Sequence, residues 1–504
     1  MSQSTRSWVA LAPLSSGTYT SSPMPRPGST QTTPPTLITQ GGRRLRVLGL
    51  LFAGAALSCV LAAYNGFPLT YSDTGSYLDN AADLLRLKAP WFFFRPLTYG
   101  VFLVPFATPV TLWLLPLVQG LMVVAVVLWT MRTAKVMLSL GAWLAVFAVL
   151  CTASSLPWFT GQIMPDVFTS VVILLSFVVV WAPLTDFRSR WVVLGLSFAI
   201  ATHLSHFPIA AGLLLGGAAA RIGADADARS RKAVSRLALR AVAPIVLALA
   251  AVVGPNLIRH RQPVLSRSSS LFALAHLVGD GSAQRYLARA CTVRTYGLCA
   301  ERHALRPDVD WFLWDRSGPR ARSEAAMARG DSTLLREAPA IVAGTLRQEW
   351  PRVLLHVLRD GGLQLLTFGA HPGEHSYSSS VDAAMHRLGP TVGASYRASR
   401  QARRALPTAT PTRIHYAAVI VAIVALGWLL PRLRGPRHRP LWRLTVTVGV
   451  GLVLNAFILA GLSTVHPRYQ SRVVWLVVLM GLVVAAEWHR GRQRDTAPST
   501  APSA

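Results

Sequence analysis

Long stretches without a charged residue recur along this chain, separated by shorter stretches that are rich in arginine. A helix that crosses the hydrocarbon core of a bilayer needs about 20 mainly apolar residues. Charge-free stretches of that order lie at 47–64, 97–131, 136–165, 167–185, 241–258, 444–465 and 473–486, with shorter apolar ones at 191–202, 207–220 and 414–430. The pattern predicts an all-α polytopic membrane protein with roughly 10–12 transmembrane or re-entrant helices.

The stretch 97–131 is too long for one crossing, because a helix rises only about 1.5 Å per residue. It also contains Pro105, Pro109 and Pro116, which interrupt helices. We therefore expect a short broken or re-entrant segment followed by one full span. The predicted topology depends on this interpretation, since one more crossing here would invert every segment that follows.

Composition excludes a soluble protein, because 52% of the residues are hydrophobic, 14% are charged and the mean hydropathy is +0.40. The net charge of +29 comes from clusters that alternate with connections poor in lysine and arginine. By the positive-inside rule these clusters are cytoplasmic. They lie near the N-terminus, at Arg132 and Lys135, at Arg188 and Arg190, across 221–240, across 432–443 and after Arg490. The sequence has no basic soluble module with interleaved aromatic residues, so we expect no nucleic-acid partner.

This topology divides the chain into five parts. They are a disordered cytoplasmic tail at 1–44, an N-terminal transmembrane bundle at 45–258, a small helical extracytoplasmic domain at 259–413, C-terminal transmembrane helices at 414–487 and a cytoplasmic tail at 488–504. The first apolar run follows Arg43-Arg44-Leu45-Arg46 and is long enough to remain as an anchor, which predicts that no signal peptide is cleaved. Both termini are expected in the cytoplasm.

Five segments are then expected on the outer face: 65–96, 154–166, 203–208, 259–413 and 464–472. Polar residues from distant parts of the sequence meet there, as an active site at the membrane surface requires. The candidates are Asp73, Asp166, His203, His206, Arg468 and Tyr469.

Asp73 lies just after the first apolar run and begins an amphipathic pattern. Apolar residues recur at helical spacing at Leu78, Ala81, Ala82 and Leu85, whereas Asp79 and Asp83 lie on the other side. We expect a helix that rests on the membrane surface with its acids toward water. Asp73 is then either an N-cap of this helix or a functional carboxylate.

Arg95 and Asp166 carry similar pairs of interpretations. Arg95 follows a run of aromatic residues and is either a snorkelling anchor or a ligand for lipid phosphate, whose oxygens match a guanidinium. Asp166 lies between two long apolar runs without a basic neighbour in sequence. It is either a helix cap at the water boundary or a functional acid, since an intramembrane carboxylate is costly unless paired.

His203 and His206 have i, i+3 spacing, which suits either a metal site or a polar break between two short spans. Cys291 and Cys299 lie eight residues apart in a predicted exported segment. They form either a disulfide in an oxidising compartment or two free thiols.

Together these elements resemble the type C (GT-C) superfamily of membrane glycosyltransferases. The resemblance covers roughly residues 45–205, and more weakly 443–487. It rests on an acidic motif from Ser72-Asp73 through Tyr77, an Arg-Pro-x-x-Tyr motif formed by Arg95, Pro96 and Tyr99, a second acid in Met164-Pro165-Asp166, and a late His466-Pro467-Arg468-Tyr469.

The resemblance implies transfer of a sugar from a polyprenyl-phosphate carrier. Asp73 would be the general base or a metal-positioning carboxylate, and Asp166 would orient the acceptor or a metal. Arg95 and Arg468 would hold the carrier phosphate. Tyr77, Tyr99 and Tyr469 belong to the same motifs and are predicted to bind substrate. Many members have two acids separated by one residue in the first loop, whereas the next acid after Asp73 here is Asp79, so the cofactor stays unknown and a divalent metal stays open.

The leading hypothesis is a glycosyltransferase, a hexosyl- or pentosyltransferase, on the outer face of a bacterial inner membrane. Its partners would be a polyprenyl-phosphate-linked sugar, a glycan, lipid or protein acceptor, and membrane lipids. The alternatives are a flippase or transporter of lipid-linked sugars and a membrane-embedded ligase or acyltransferase of the cell envelope. A flippase needs polar residues near the midplane. A ligase would depend on residues such as His371, Glu374 and His375.

Overall fold

A computed structural model describes residues 40–88, 95–183, 189–322, 333–370 and 378–495. Over these ranges the chain is α-helical with short 3₁₀ turns, and its only β-type pairing is one isolated bridge between Leu69 and Gln162. The predicted all-α fold is confirmed for this part of the chain. Of the expected disordered tail at 1–44, residues 1–39 lie outside the described ranges, whereas residues 40–44 belong to the first helix, so the prediction is wrong for them. The aromatic run at 91–94 and the residues after 495 also lie outside the described ranges.

The helices of the N-terminal half follow the apolar stretches closely. Their bounds are Gln40–Ser58, Val60–Asn65, Thr74–Leu85, Leu97–Leu103, Leu114–Thr133, Leu140–Ala153, Leu156–Thr160, Val167–Trp181, Ser189–Ala201, His206–Ala224 and Arg231–His260. The last of these is longer than its charge-free stretch of 241–258. Its first turns contain basic residues, which a helix tolerates where it leaves the apolar environment.

The stretch 97–131 is broken, as its prolines predict. The helix Leu97–Leu103 passes into the 3₁₀ turn Val104–Phe106, and a new helix begins at Leu114. A hydrogen bond between the hydroxyls of Thr108 and Thr111, 2.6 Å apart, stabilises the turn between them. Only the second helix is long enough to cross a membrane on its own.

Seven helices of the described chain are long and apolar enough to cross a membrane. By length and composition they are Arg44–Asn65, Leu114–Thr133, His206–Ala224, Arg231–His260, Ala409–Arg432, Arg439–Leu462 and Pro467–Gln493. Five shorter apolar helices accompany them: Leu97–Phe106, Leu140–Ala153, Val167–Trp181, Arg190–Ala201 and Ser269–Gly279. Their length and apolar character are typical of a polytopic membrane protein.

The basic clusters meet at one end of the bundle. Arg443 forms an ion pair with Asp225, and the guanidinium of Arg240 donates to the carbonyl of Pro183 at 3.1 Å. Arg437 lies 4.0 Å from Glu487 of the last helix. The basic residues at 240, 437 and 443, which the positive-inside rule assigns to one side, therefore do share one end.

The segment 154–166 differs from its predicted form. We expected an outer loop, but each of its residues is buried. Its backbone is held by other segments: the Leu69 amide donates to the Gly161 carbonyl at 2.8 Å, and Ser155 donates to the Ser471 carbonyl at 2.5 Å. Apolar residues dominate this segment, and distant partners satisfy its polar groups. It is therefore packed in the interior of the protein, at one end of the helix bundle.

The segment 259–413 is helical, and its part from 271 to 353 has a hydrophobic core of its own, whereas buried residues between 368 and 396 pack into the main core. Its helices are Ser269–Gly279, Ser282–Ala290, Val309–Trp314, Thr333–Leu366, Ser379–Leu388 and Pro390–Ala398. The second core gathers side chains such as Leu274, Leu287, Phe312 and Ile341, all fully buried. Cys291 and Cys299 are joined by a disulfide beside this core.

Three long helices complete the chain: Ala409–Leu429, Arg439–Leu462 and Pro467–Asp495. The last one begins beside the candidate site and packs against the two before it. It continues to Asp495 and so passes through the predicted boundary at 487/488. Of the seven candidate spans it is the most buried, with 72% of its apolar window inside the protein.

Candidate active site

The segments predicted to share the outer face do meet at the opposite end from the basic clusters. The first loop pairs with the buried segment through Leu69 and Ile163, and the Thr70 carbonyl accepts a hydrogen bond from Gln401 at 2.8 Å. Gln364 of the long helix donates to the carbonyl of His466 at 2.9 Å. Contacts between residues hundreds of positions apart thus assemble one surface from separate loops.

Asp73 and Arg95 form an ion pair at this surface. Arg95 Nη2 lies 2.7 Å from Asp73 Oδ1, and the two side chains are 18% and 20% exposed. Asp73 precedes the helix Thr74–Leu85, but its side chain makes no capping hydrogen bond. The carboxylate therefore faces Arg95 and remains partly accessible, which is what a reacting group requires.

Asp166 is the acid of a second, fully buried cluster. Arg468 binds it in a fork, with Nε at 3.1 Å from Oδ1 and Nη2 in contact with Oδ2. Arg472 Nη1 lies 3.5 Å from the same Oδ1. Although Asp166 precedes the helix Val167–Trp181, its side chain makes no capping hydrogen bond either. One carboxylate thus lies between two guanidinium groups.

Further polar groups hold the second arginine of this cluster. The guanidinium of Arg472 donates to Asn455 Oδ1 at 2.8 and 3.2 Å and to Ser205 Oγ at 3.2 Å. Asn455 in turn donates to the backbone carbonyl of Tyr469 at 2.8 Å. Helices from both halves of the chain therefore fix the position of this charge.

Tyrosines line the space between the two clusters. The guanidinium of Arg468 lies 3.7 Å above the centre of the Tyr71 ring. The hydroxyl of Tyr77 is fully buried among Asp73, Arg95, Asp166 and Arg468 and has no hydrogen-bond partner. A buried hydroxyl without a partner is costly, so Tyr77 offers an unused hydrogen bond to a ligand.

The other two predicted tyrosines are held by protein groups. Tyr99 packs edge-on against Tyr77 at 5.0 Å, and its hydroxyl donates to Gln119 at 3.1 Å. The hydroxyl of Tyr469 lies 2.9 Å from that of Ser463. These contacts make Tyr99 and Tyr469 supports of the site, at the back and at the rim respectively.

Burial and charge set the ionisation of the site residues. Burial opposes ionisation of Asp166, but Arg468 and Arg472 outweigh it and hold the pKa of this carboxyl far below its usual range. Burial raises the pKa of Tyr71 to about 12, against the opposing effect of Arg468. Burial, followed by Arg472, keeps the pKa of His203 well below its ordinary value. The tyrosine therefore stays a phenol and the histidine stays neutral.

His203 and His206 use their ring nitrogens within the protein. His206 Nε2 lies 2.9 Å from Thr169 Oγ1 and its Nδ1 lies 2.8 Å from the Ala199 carbonyl, while His203 Nδ1 lies 2.8 Å from Ser205 Oγ. These contacts match the predicted polar break between two short spans. Among the described residues, no group of three or more His, Cys, Asp or Glu side chains is placed to hold a metal ion.

Three residues of the site, Tyr71, Asn455 and Arg472, were not among those predicted from the sequence. Arg472 carried a recognisable signal, since it follows Arg468 by four residues at the start of an apolar span. Residues at i and i+4 share one face of a helix. Tyr71 and Asn455 had no such signal, because their roles come from contacts with residues far away in the sequence. His371, Glu374 and His375, on which the ligase alternative relies, lie outside the described residues.

Comparison of the chain with protein-family models, with curated proteins and with solved structures gives no match.

Proposed function

We propose that this protein is a membrane glycosyltransferase that takes a sugar from a polyprenyl-phosphate carrier. The observation that carries the proposal is the pairing of a partly exposed Asp73 with a cluster of positive charge. Three arginines, Arg95, Arg468 and Arg472, surround two aspartates, and Tyr77 adds an unused hydroxyl. An accessible carboxylate beside an excess of guanidinium groups suits an acceptor hydroxyl and an anionic phosphate leaving group.

The proposed reaction assigns a different role to each aspartate. Asp73 removes the proton of the acceptor hydroxyl as its oxygen attacks the anomeric carbon of the sugar. The bond from that carbon to the phosphate oxygen breaks, and the electron pair leaves with the phosphate. Arg95 and Arg468 stabilise the negative charge that develops there. Asp166, predicted to orient the acceptor or a metal, is buried between Arg468 and Arg472, and we assign it the role of positioning these arginines.

The accessible end of the bundle is proposed to face away from the cytoplasm, in a bacterial inner membrane, because the basic clusters lie at the other end. Single cysteines at Ser379 and Arg434, which are exposed at opposite ends of the bundle, test this orientation in intact cells. The protein used in this test lacks the native free cysteines Cys59 and Cys151. We expect a membrane-impermeant maleimide added outside to label Ser379→Cys and to leave Arg434→Cys unlabelled until the cells are lysed. Labelling in the reverse order would contradict the orientation.

The function is tested by transfer of a radiolabelled sugar from polyprenyl-phosphate carriers by the purified full-length protein in lipid vesicles. Nucleotide sugars serve as the control donors. We expect the label to leave the carrier donor and not the nucleotide. Movement of intact labelled donor across the vesicle membrane without cleavage would instead support the flippase alternative. If the donor is neither cleaved nor moved, the result contradicts both the transferase proposal and the flippase alternative.

Tyr77→Phe removes the unused hydroxyl and keeps the ring. We expect catalytic efficiency to fall about 10-fold, as for the loss of one hydrogen bond to a charged ligand, while the melting temperature stays the same or rises. Tyr99→Phe is the matched control, because the Tyr99 hydroxyl already has Gln119 as its partner. A fall in stability for Tyr77→Phe with unchanged kinetics would show that the hydroxyl serves the fold instead.

A further inference from the structure

A cavity of about 380 Å³ lies where the helices Ser269–Gly279 and Thr333–Leu366 meet the loop that follows Arg439–Leu462. Its volume falls within the range of small-ligand pockets, about 300–1,000 Å³. Polar side chains dominate its wall, among them His276, Asp280, Asp308, His356, Asp360 and Thr464. None of these residues takes part in the two ion clusters of the candidate active site.

Two buried hydrogen-bond acceptors in this wall lack a donor. His276 is 6% exposed and its Nδ1 lies 2.7 Å from the Ser463 carbonyl. Because a carbonyl only accepts, the hydrogen is on Nδ1, and Nε2 of the neutral ring is an acceptor without a partner. Asp280 Oδ1 accepts from the Ser282 amide at 2.7 Å, whereas its Oδ2 is buried and unpartnered. A ligand that donates hydrogen bonds to these two atoms would satisfy both of them.

The charge of the cavity is opposite to that of the candidate active site. Four aspartates line it, at 280, 308, 310 and 360, together with one arginine, Arg359. An anion such as a carrier phosphate is repelled from such a wall. The three arginines around Asp73 and Asp166 attract the same anion. The two neighbouring sites therefore select ligands of different charge.

Two contacts connect the cavity with the candidate active site. The Phe272 ring lies 5.9 Å from the guanidinium carbon of Arg95, the partner of Asp73. His276 follows Phe272 by one helical turn, about 6 Å along the axis. Ser463, whose carbonyl binds His276, also has its hydroxyl 2.9 Å from that of Tyr469. A ligand held in the cavity is thus within one helical turn of a residue that contacts the Asp73 ion pair.

We propose that this cavity binds the sugar acceptor, as a carbohydrate that carries hydroxyl or amino groups and no anionic group. Its hydroxyl or ammonium hydrogens bind His276 Nε2 and Asp280 Oδ2. The name "acceptor" rests on the proposed transferase function, but the binding of a carbohydrate does not. The assignment separates the two substrates by charge: the anionic donor binds the arginines, and the neutral or cationic acceptor binds the aspartates.

Binding is measured by saturation-transfer nuclear magnetic resonance on the full-length protein in lipid nanodiscs, without any donor. The probes are methyl glucoside as a neutral sugar, glucosamine as an amino sugar and glucose 6-phosphate as an anionic one. We expect one or both of the first two to bind the cavity. Glucose 6-phosphate should bind only the arginines of the candidate active site, so variants of the cavity should leave its binding unchanged. Asp280→Asn and His276→Gln should each raise the dissociation constant of the bound sugar about 10-fold or more. Asp360→Asn, on the facing helix, repeats the test without altering the helix of Asp280.

The control variant is Asp79→Asn, whose exposed ion pair with Arg387 is not part of the cavity wall. It should bind the sugars as the wild type does. Because the binding measurement uses no donor, its result does not depend on whether transfer activity is found. Equal binding by the wild type and by all three cavity variants would overturn the inference. Binding of calcium alone that Asp280→Asn abolishes, with no sugar bound, would overturn it in favour of a cation site.

Discussion

Asp73→Asn should lower the turnover number by about 10²–10⁴-fold, the range that removal of a general base produces, with little change in stability. The amide keeps the shape of the side chain and loses the ability to accept a proton. The ion pair with Arg95 is partly exposed, so its loss should change the free energy of unfolding by less than about 1 kcal/mol. The measurement is the turnover number at saturating donor and acceptor, together with the melting temperature of the purified protein.

Asp79→Asn is a closely matched control for this variant. Asp79 lies on the helix Thr74–Leu85, which begins directly after Asp73. It is also paired with an arginine, since Arg387 Nε lies 3.0 Å from Asp79 Oδ1. Its side chain is 44% exposed and belongs to neither ion cluster of the candidate site, so we expect its replacement to leave turnover unchanged. If Asp73→Asn raised only the Michaelis constant, Asp73 would hold substrate and another group would be the base.

Asp166→Asn should cause the largest loss of stability, about 3–5 kcal/mol in the free energy of unfolding. The change leaves the guanidinium groups of Arg468 and Arg472 buried side by side without their shared counter-ion. Two unpaired like charges in a buried site are much more costly than the exposed pair of Asp79 and Arg387. Chemical denaturation in detergent, compared with Asp79→Asn, measures the difference.

A double variant separates the effect of charge from the effect of packing. Asp166→Asn with Arg468→Gln removes one charge of each sign, so it should lose less stability than the sum of its two single variants. Strict additivity would show that the triad is held by packing and not by charge.

The pKa of Asp166 is lowered on folding, so its stabilising effect is complete above the ordinary aspartate pKa of about 4 and is lost as the pH falls below it.

Most of the helical framework was predictable from the sequence. The charge-free stretches located the helices, and the three prolines indicated the break before Leu114, because both depend on local composition. Helix ends were less predictable, as the extension of Pro467–Asp495 through the boundary at 487/488 illustrates. Burial of the segment 154–166 was not predictable, since it depends on partners such as Leu69 and Ser471 that the sequence places far away.

The candidate site was predictable as a set of residues and not as a set of contacts. Local motifs identified Asp73, Arg95, Asp166 and Arg468. They gave no indication that Asp73 binds Arg95 while Asp166 binds Arg468, because the second pairing joins positions 302 residues apart. The difference in accessibility between the two acids follows from this pairing. It is the structural reason for assigning proton transfer to Asp73 and positioning to Asp166.

The pairing of Asp166 with the last helix also constrains how the protein is made. Both arginines that neutralise this buried acid belong to Pro467–Asp495, so they leave the ribosome about 300 residues after Asp166. At about 5–20 residues per second, synthesis of the intervening 302 residues takes about 15–60 s. During that time the half-built bundle must keep Asp166 hydrated or protonated. Synthesis of the helix Pro467–Asp495, and not insertion of the early helices, is therefore the step that closes this end of the molecule.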